Sequence, residues 1–129
     1  MELPESIRPE FYEKHKYLFE LMHVERPHYP IRWGYEVGKG WIPIIEKFIE
    51  KLDEIDTDNV VRIFQIKEKF GTLRLYLEHS TKEAERLVDA YETMANFVCE
   101  ECGAPGEYRG GLSWVQTLCD DCYEKARNK

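Results

Sequence analysis

Apolar residues recur at three- and four-residue intervals in three stretches of the chain, residues 9–24, 41–55 and 81–98. This spacing is typical of amphipathic helices, in which one face is buried and the other is polar. The middle stretch is the most regular. Its apolar face consists of Trp41, Ile44, Ile45, Phe48, Leu52 and Ile55. The pattern therefore predicts three helices.

Local signals support the starts of these helices. Pro9 and Pro43 suit a first helical turn, where the missing backbone N–H has no partner to lose. Ser80 and Glu83 have the spacing of a capping box. We therefore expect Ser80 to cap the third helix, which would run almost directly into Cys99.

Between the second and third helices the pattern becomes that of β-strands. Residues 60–66 are rich in β-branched and aromatic side chains, and residues 72–78 alternate apolar and polar positions. Gly71 can supply the positive φ that a tight connection needs. The sequence therefore predicts a β-hairpin over residues 60–78. Its apolar face would be formed by Leu73, Leu75 and Leu77.

Residues 26–40 are predicted to form a long structured loop, because their prolines and glycines prevent a regular helix. This loop also carries the aromatic residues Tyr29, Trp33 and Tyr35. A loop of this composition usually packs on its own domain. The alternative is that its rings form part of a surface for a partner or a ligand.

The composition fits a folded domain. The chain has 129 residues, of which 43% are hydrophobic and 13% aromatic, which suits one domain or one domain with a small appendage. No apolar run approaches the roughly 20 residues of a membrane span, and the N-terminus does not resemble a signal peptide. We therefore expect a cytoplasmic protein without membrane association.

The only cysteines, Cys99, Cys102, Cys119 and Cys122, form two pairs with two residues inside each pair. This is the spacing of a tetrahedral four-thiolate metal site. Thiols stay reduced inside cells, so a metal is favoured over disulfides. Four thiolates fill the shell of Zn²⁺ and leave no position for water, so we expect a structural zinc ion. Iron takes the same ligands and is the less favoured alternative.

The segments around the cysteines predict the type of metal module. Gly103 follows the first pair, as in a zinc knuckle, and Gly110 and Gly111 suggest the turn of a small hairpin. The second pair then opens a polar helical tail. This order is that of a treble-clef zinc finger, with a zinc ribbon as the alternative.

Together these elements predict an α+β fold. Residues 1–98 would form a domain in which helices pack on the β-hairpin, and residues 99–129 a four-cysteine zinc module docked on it.

The net charge of −7, with no basic segment, argues against general affinity for nucleic acids. The hairpin is a local exception. Lys67, Lys69, Phe70, Arg74 and Tyr76 combine three cations with two aromatic rings, a pattern that can grip a nucleic-acid strand. The alternative is that the hairpin packs on the helices and presents ordinary surface charge.

Three blocks of sequence occur together in this chain. They are GWIPII at residues 40–45, QIKEKFGTLRLY at 65–76, and the motifs CxxCGxPG and WxxTLCxxC at 99–106 and 114–122. The set resembles a group of small uncharacterised bacterial and phage proteins that share this order. The resemblance covers residues 40–123. It implies a bacterial cytoplasm, or the host cytoplasm for a phage protein, and it brings no activity with it.

Three functions follow as hypotheses. The first is a non-enzymatic, zinc-stabilised protein that binds another protein, such as a phage or bacterial modulator or an immunity or antidefence protein. The second is a nucleic-acid-associated regulator that uses the hairpin cations. The third is an enzyme, although the sequence contains no familiar catalytic motif. The predicted interaction surface consists of Tyr29, Trp33, Tyr35, Lys67, Lys69, Phe70, Arg74 and Tyr76.

Overall fold

The computed structural model describes residues 2–128. In chain order its elements are α1 (Pro9–Lys14), a 3₁₀ helix (Lys16–His23), a second 3₁₀ helix (Pro30–Trp33), β1 (Tyr35–Glu36), a 3₁₀ turn (Lys39–Trp41), α2 (Ile42–Ile55), β2 (Arg62–Lys69), β3 (Thr72–Glu78), α3 (Lys82–Ala95), β4 (Glu107–Arg109), β5 (Gln116–Leu118) and α4 (Asp120–Arg127). The fold is a mixture of helices and strands with four cysteines clustered near the C-terminus. Within the described residues, no helix is both long and apolar enough to cross a membrane.

The predicted hairpin forms two strands of a three-stranded sheet, with β2 in the centre. β2 and β3 pair antiparallel, and β1 pairs parallel to β2 on its other side. The hairpin turn consists of Phe70 and Gly71, which both have positive φ, 53° and 78°. Two positive φ values match the twist of the flanking strands. The positive φ expected at Gly71 is confirmed, but the turn is shorter than the predicted connection because β2 continues to Lys69.

The hydrophobic core joins one face of this sheet to the long helices. Ile63, Ile66, Leu73 and Leu75 are at most 3% exposed on that face. α3 packs against both α2 and β3. Side chains of the sheet therefore alternate between this buried face and an outer face, which carries the polar residues of the hairpin.

The N-terminal apolar stretch forms two short helices, and the prediction of one helix over residues 9–24 is wrong. The backbone leaves the helical region at His15, with φ −122° and ψ 27°. There Nδ1 of His15 lies 2.5 Å from Oδ2 of Asp53 in α2. The 3₁₀ helix that follows has three residues per turn, so Phe19 and Met22 share one side, and both are buried. The apolar spacing fits both an α-helix and a 3₁₀ helix. The contact of His15 with Asp53 favours a break between the two helices at His15.

α3 begins one residue later than the capping box predicted. Its N-cap is Thr81, whose Oγ1 accepts a hydrogen bond from the Ala84 N–H at 3.1 Å. The hydroxyl of Ser80 instead donates to the carboxylate of Glu85. Two adjacent hydroxyl residues precede the helix, and the fold uses the second as the cap.

Replacing Thr81 with alanine should therefore lower the free energy of unfolding by about 1 kcal/mol, because the Ala84 N–H loses its partner. Ser80→Ala should cost less than about 0.5 kcal/mol, as expected for an exposed residue outside the cap. Urea denaturation of both variants, with the metal content held equal, measures the difference. A larger loss for Ser80→Ala would contradict this assignment of the cap.

Candidate metal centre and neighbouring surfaces

The first cysteine pair lies in a tight backbone turn. Cys99 N–H donates to Ala104 O at 2.7 Å, and Gly103 N–H donates to Cys99 O at 2.9 Å. Gly103 has φ +84°, a conformation that glycine adopts without steric cost. Val98 and Pro105 form an antiparallel bridge just outside the turn. This turn holds the sulfur atoms of Cys99 and Cys102 within 4.8 Å of those of the second pair.

The second pair lies where a strand meets a helix. β4 and β5 form a short antiparallel hairpin, and β5 leads directly into Cys119. Cys119 is the N-cap of α4, and its sulfur accepts a hydrogen bond from the Cys122 N–H at 3.4 Å. Cys122 therefore lies in the first turn of α4, with its side chain beside that of Cys119.

The four sulfur atoms form a compact group. All four Sγ atoms lie within 4.8 Å of one another, and those of Cys102 and Cys119 are 3.7 Å apart. A tetrahedron with sulfur about 2.3 Å from its centre has edges of about 3.8 Å. The four thiols are free, and the 3.7 Å separation far exceeds the roughly 2.05 Å of a disulfide bond. The cluster can therefore hold a metal ion such as zinc.

The thiols of the cluster differ in how readily they ionise. Burial opposes ionisation of Cys99, but hydrogen bonds from the backbone N–H groups of Cys119, Cys102 and Glu101 outweigh it and lower the pKa of Cys99 to about 7. The adjacent sulfur of Cys119, together with burial, raises the pKa of Cys122 to about 12. The thiolate of Cys99 is thus stabilised, while the thiol of Cys122 resists ionisation. A bound cation would remove this conflict, because it stabilises all four thiolates together.

Residues 99–128, which we call the cysteine module, contact the main domain at a glycine-rich segment. Gly40 N–H donates to Glu100 O at 2.9 Å. The indole N–H of Trp41, which is fully buried, donates at 2.8 Å to the carbonyl oxygen of Val98, the residue just before the module. A side chain at Gly40 would have its Cβ 2.2 Å from Cys99 O. The backbone of the metal turn therefore packs directly on the start of α2.

A second contact joins the module to the hairpin turn. Thr117 Oγ1, in β5, donates to Gly71 O at 2.7 Å. Thr117 N–H donates at 2.9 Å to the carboxylate of Glu100, which is only 5% exposed. Burial raises the pKa of Glu100, and the hydrogen bond from Thr117 opposes that shift. Glu100 therefore links the metal turn to β5, and Thr117 links β5 to the hairpin.

The sequence pattern does not predict these linking residues. Glu100 stands between two cysteines of the metal motif. Gly38 and Gly40 lie in a segment predicted only to be a loop, yet a Cβ at Gly38 would lie 2.3 Å from Glu100 O. The glycine pair next to Trp41 was the available signal, because glycine often marks a place where another backbone approaches closely.

The structure brings together four of the predicted surface residues. Lys67 pairs with Arg74 across the hairpin, and Lys69 pairs with Thr72. Tyr76 follows Arg74 on the same outer face and is 37% exposed. Lys67, Lys69, Arg74 and Tyr76, which we call the cationic face, therefore form one continuous surface of the sheet.

The other predicted surface residues are scattered. Trp33 is 65% exposed. Tyr29 is half-buried and meets Phe64 edge to face, with ring centroids 5.6 Å apart. The prediction is wrong for Tyr35, whose side chain is 4% exposed and belongs to the core. Strand pairing with β2 turns this ring inward, and burial raises its pKa.

Three strongly exposed aromatic residues lie in the segments that adjoin the contact between the module and the main domain. Phe70, Phe97 and Tyr108 are 60%, 67% and 55% exposed. Tyr108 packs beside the hairpin turn, since a Cβ at Gly71 would lie 3.2 Å from its ring. Phe97 O accepts a hydrogen bond from Gly106 N–H at 2.9 Å. We call these three residues the aromatic ridge; of them, the sequence had suggested only Phe70.

Comparison with protein-family models, with curated proteins and with solved structures found no match to this chain. The function must therefore be argued from the residues of the chain itself.

Proposed function

We propose that the cysteine cluster binds one structural Zn²⁺ ion in a treble-clef module. Three features support this: the glycine turn that holds Cys99 and Cys102, the β4–β5 hairpin, and the position of Cys119 and Cys122 at the start of α4. A zinc ribbon would place the second pair in another hairpin turn. Four thiolates complete a tetrahedral shell and leave no position for water or substrate, which favours a structural ion over a catalytic one.

We further propose that the protein is non-enzymatic and acts by binding another protein through the aromatic ridge. The observation that carries this proposal is the exposure of Phe70, Phe97 and Tyr108 in the segments that adjoin the contact between the module and the main domain. Large exposed rings are expensive to leave in water, and aromatic residues are enriched in the energetically important centres of protein interfaces. The metal cluster would hold the ridge in shape, because Tyr108 belongs to the module and Phe70 to the hairpin.

Affinity capture with matched variants tests this function. The tagged protein is incubated with nuclease-treated extract of the cells that encode it. The double variant Phe70→Asn/Tyr108→Thr removes two rings, and asparagine tolerates the positive φ at position 70. Trp33→Gln serves as the control, because it removes an equally exposed ring outside the ridge.

We expect the wild-type protein and the control to retain one stoichiometric protein partner that the double variant loses. Titration calorimetry with that purified partner should then show at least a roughly 30-fold loss of affinity, as for an interface hot spot. A partner retained equally by the double variant would contradict the role of the ridge. Failure to retain any protein would contradict the proposed function.

A further inference from the structure

The cationic face carries a like-charge pair that stability alone does not explain. Lys67 and Arg74 lie directly opposite each other on β2 and β3, although acidic residues outnumber basic ones in the chain, 25 to 18. Like charges directly opposite on one face of a sheet repel each other. Lys69 extends the positive charge toward the turn on the same face.

These cations have no close ion-pair partner. Within residues 2–128, no carboxylate oxygen lies within 4.0 Å of the charged atoms of Lys67, Lys69 or Arg74. Arg74 donates through Nε to Thr72 Oγ1 at 3.0 Å, which leaves its terminal nitrogens without a hydrogen bond to side chains. Glu92 of α3 is near enough for Arg74 to favour its ionised form, yet burial raises the pKa of Glu92 overall. Glu36 of β1 lies opposite Lys67 on the other side of β2, but its carboxylate accepts a hydrogen bond from Gln65 and forms no ion pair with Lys67. Lys67 and Arg74 can therefore still pair with an external anion.

Aromatic rings flank the cations. Tyr76 lies two residues beyond Arg74 on the outer face, and the exposed ring of Phe70 follows Lys69, with Nζ of Lys69 5.9 Å from the ring centroid. Alternate residues of a strand are about 7 Å apart. That spacing is comparable to the spacing of successive phosphates along an extended nucleic-acid strand. The face thus presents cations between two surfaces on which flat rings can stack.

We propose that the cationic face binds single-stranded nucleic acid, with Lys67, Lys69 and Arg74 contacting phosphates and Tyr76 stacking on a base. Stacking combined with backbone charge is the usual basis of sequence-tolerant single-strand binding. A duplex would present no unstacked bases to Tyr76. An acidic peptide would satisfy the cations but would leave the rings without planar partners. This inference goes beyond the proposed protein-binding function, because the aromatic ridge and the cationic face are tested with different variants.

Fluorescence anisotropy with labelled oligonucleotides of about ten nucleotides tests the proposal on the zinc-loaded full chain. The probes are oligo(dT), oligo(U), a DNA duplex of equal length and an oligoglutamate peptide. Three neutralised phosphates on a single strand predict a roughly 20-fold loss of affinity between about 50 and about 200 mM salt. The two single-stranded probes distinguish DNA from RNA as the preferred ligand.

The double variant Lys67→Gln/Arg74→Gln should weaken binding of the single strands. Between the same two salt concentrations its affinity should fall only about threefold, because Lys69 is the one remaining cation of the face. Lys47→Gln/Arg86→Gln is the matched control, because it removes the same charges from exposed helical positions without ion pairs. Tyr76→Leu should weaken binding at least roughly fivefold through lost stacking. Circular dichroism and zinc content confirm that each variant is folded.

Four results would overturn the proposal. They are no binding of either single strand at the lower salt concentration, equal loss of affinity in the control, tighter binding of the duplex, and preferential binding of oligoglutamate that depends on Lys67 and Arg74. The last result would assign the face to an acidic protein segment. The two proposals are tested separately. If the Lys67→Gln/Arg74→Gln variant still retains the protein partner, the proposed role of the aromatic ridge stands even when nucleic-acid binding is not found.

Discussion

Replacing Cys119 with serine is expected to abolish stable metal binding and to lower the free energy of unfolding by more than about 4 kcal/mol. The cysteine module has few large buried side chains of its own, and α4 buries none. Its order must therefore come largely from the metal and from its contacts with the main domain. The midpoint of thermal unfolding should fall by roughly 10 °C or more.

Serine is chosen because it separates the effect of losing a metal ligand from the effect of losing the helix cap. Cys119 is the N-cap of α4 and accepts a hydrogen bond from the Cys122 N–H. Serine is a preferred N-cap residue and can accept the same hydrogen bond. The variant therefore loses a metal ligand while α4 keeps its cap. Asp121→Ser is the matched control, since it changes an exposed neighbour in α4 and leaves all four thiols.

Elemental analysis accompanies the thermal measurement. Wild-type protein purified without added metal should contain about one equivalent of zinc, and Cys119→Ser less than about half an equivalent. One equivalent of iron in place of zinc would change the identity of the ion but not the closed site. Wild-type protein with neither metal, or a Cys119→Ser variant with unchanged thermal stability, would contradict the structural role of the cluster.

The metal cluster could be predicted because its signal is local and chemical. Two cysteine pairs with fixed internal spacing define a ligand set, whatever surrounds them. The hairpin was also predictable, since alternation and Gly71 specify strands and a turn. Its exact extent was not, because Phe70 adopts a positive φ that a bulky side chain rarely takes.

The errors arose where a distant contact decided the local structure. The apolar spacing of residues 9–24 fits an α-helix, but the His15–Asp53 contact accompanies a break that no local pattern encodes. Tyr35 was assigned to the surface from its loop composition, and its pairing with Ile66 instead places it in the core. Such outcomes depend on neighbours that are far away in the sequence.

The contact between the cysteine module and the main domain was the least predictable feature, because backbone carbonyl groups accept the hydrogen bonds there. The carbonyl groups of Val98 and Glu100 accept hydrogen bonds from Trp41 and Gly40. Backbone groups are the same in every residue, so the sequence carries no pattern for their pairing. Only the absence of a side chain at position 40 reveals that another chain segment approaches there.

Gly40→Ala is therefore expected to lower the free energy of unfolding by roughly 3 kcal/mol, at the upper end for overpacking. The added Cβ would lie 2.2 Å from Cys99 O, 2.6 Å from Gly103 N and 2.7 Å from the carbonyl carbon of Glu100. All three are backbone atoms of the metal turn, so none can rotate away. Relief of the clash must move the turn, which would weaken the Gly40–Glu100 hydrogen bond and the geometry of the sulfur cluster together.

Gly110→Ala provides the matched control, because the nearest atom to its added Cβ is a ring carbon of Tyr108 at 3.5 Å, an ordinary contact. We expect Gly110→Ala to change stability by less than about 0.5 kcal/mol. Chelator competition on both variants then measures metal affinity, which should fall only for Gly40→Ala because a displaced turn no longer holds Cys99 and Cys102 in place. Equal stability and equal metal affinity of the two variants would show that the metal turn does not depend on its contact with the start of α2.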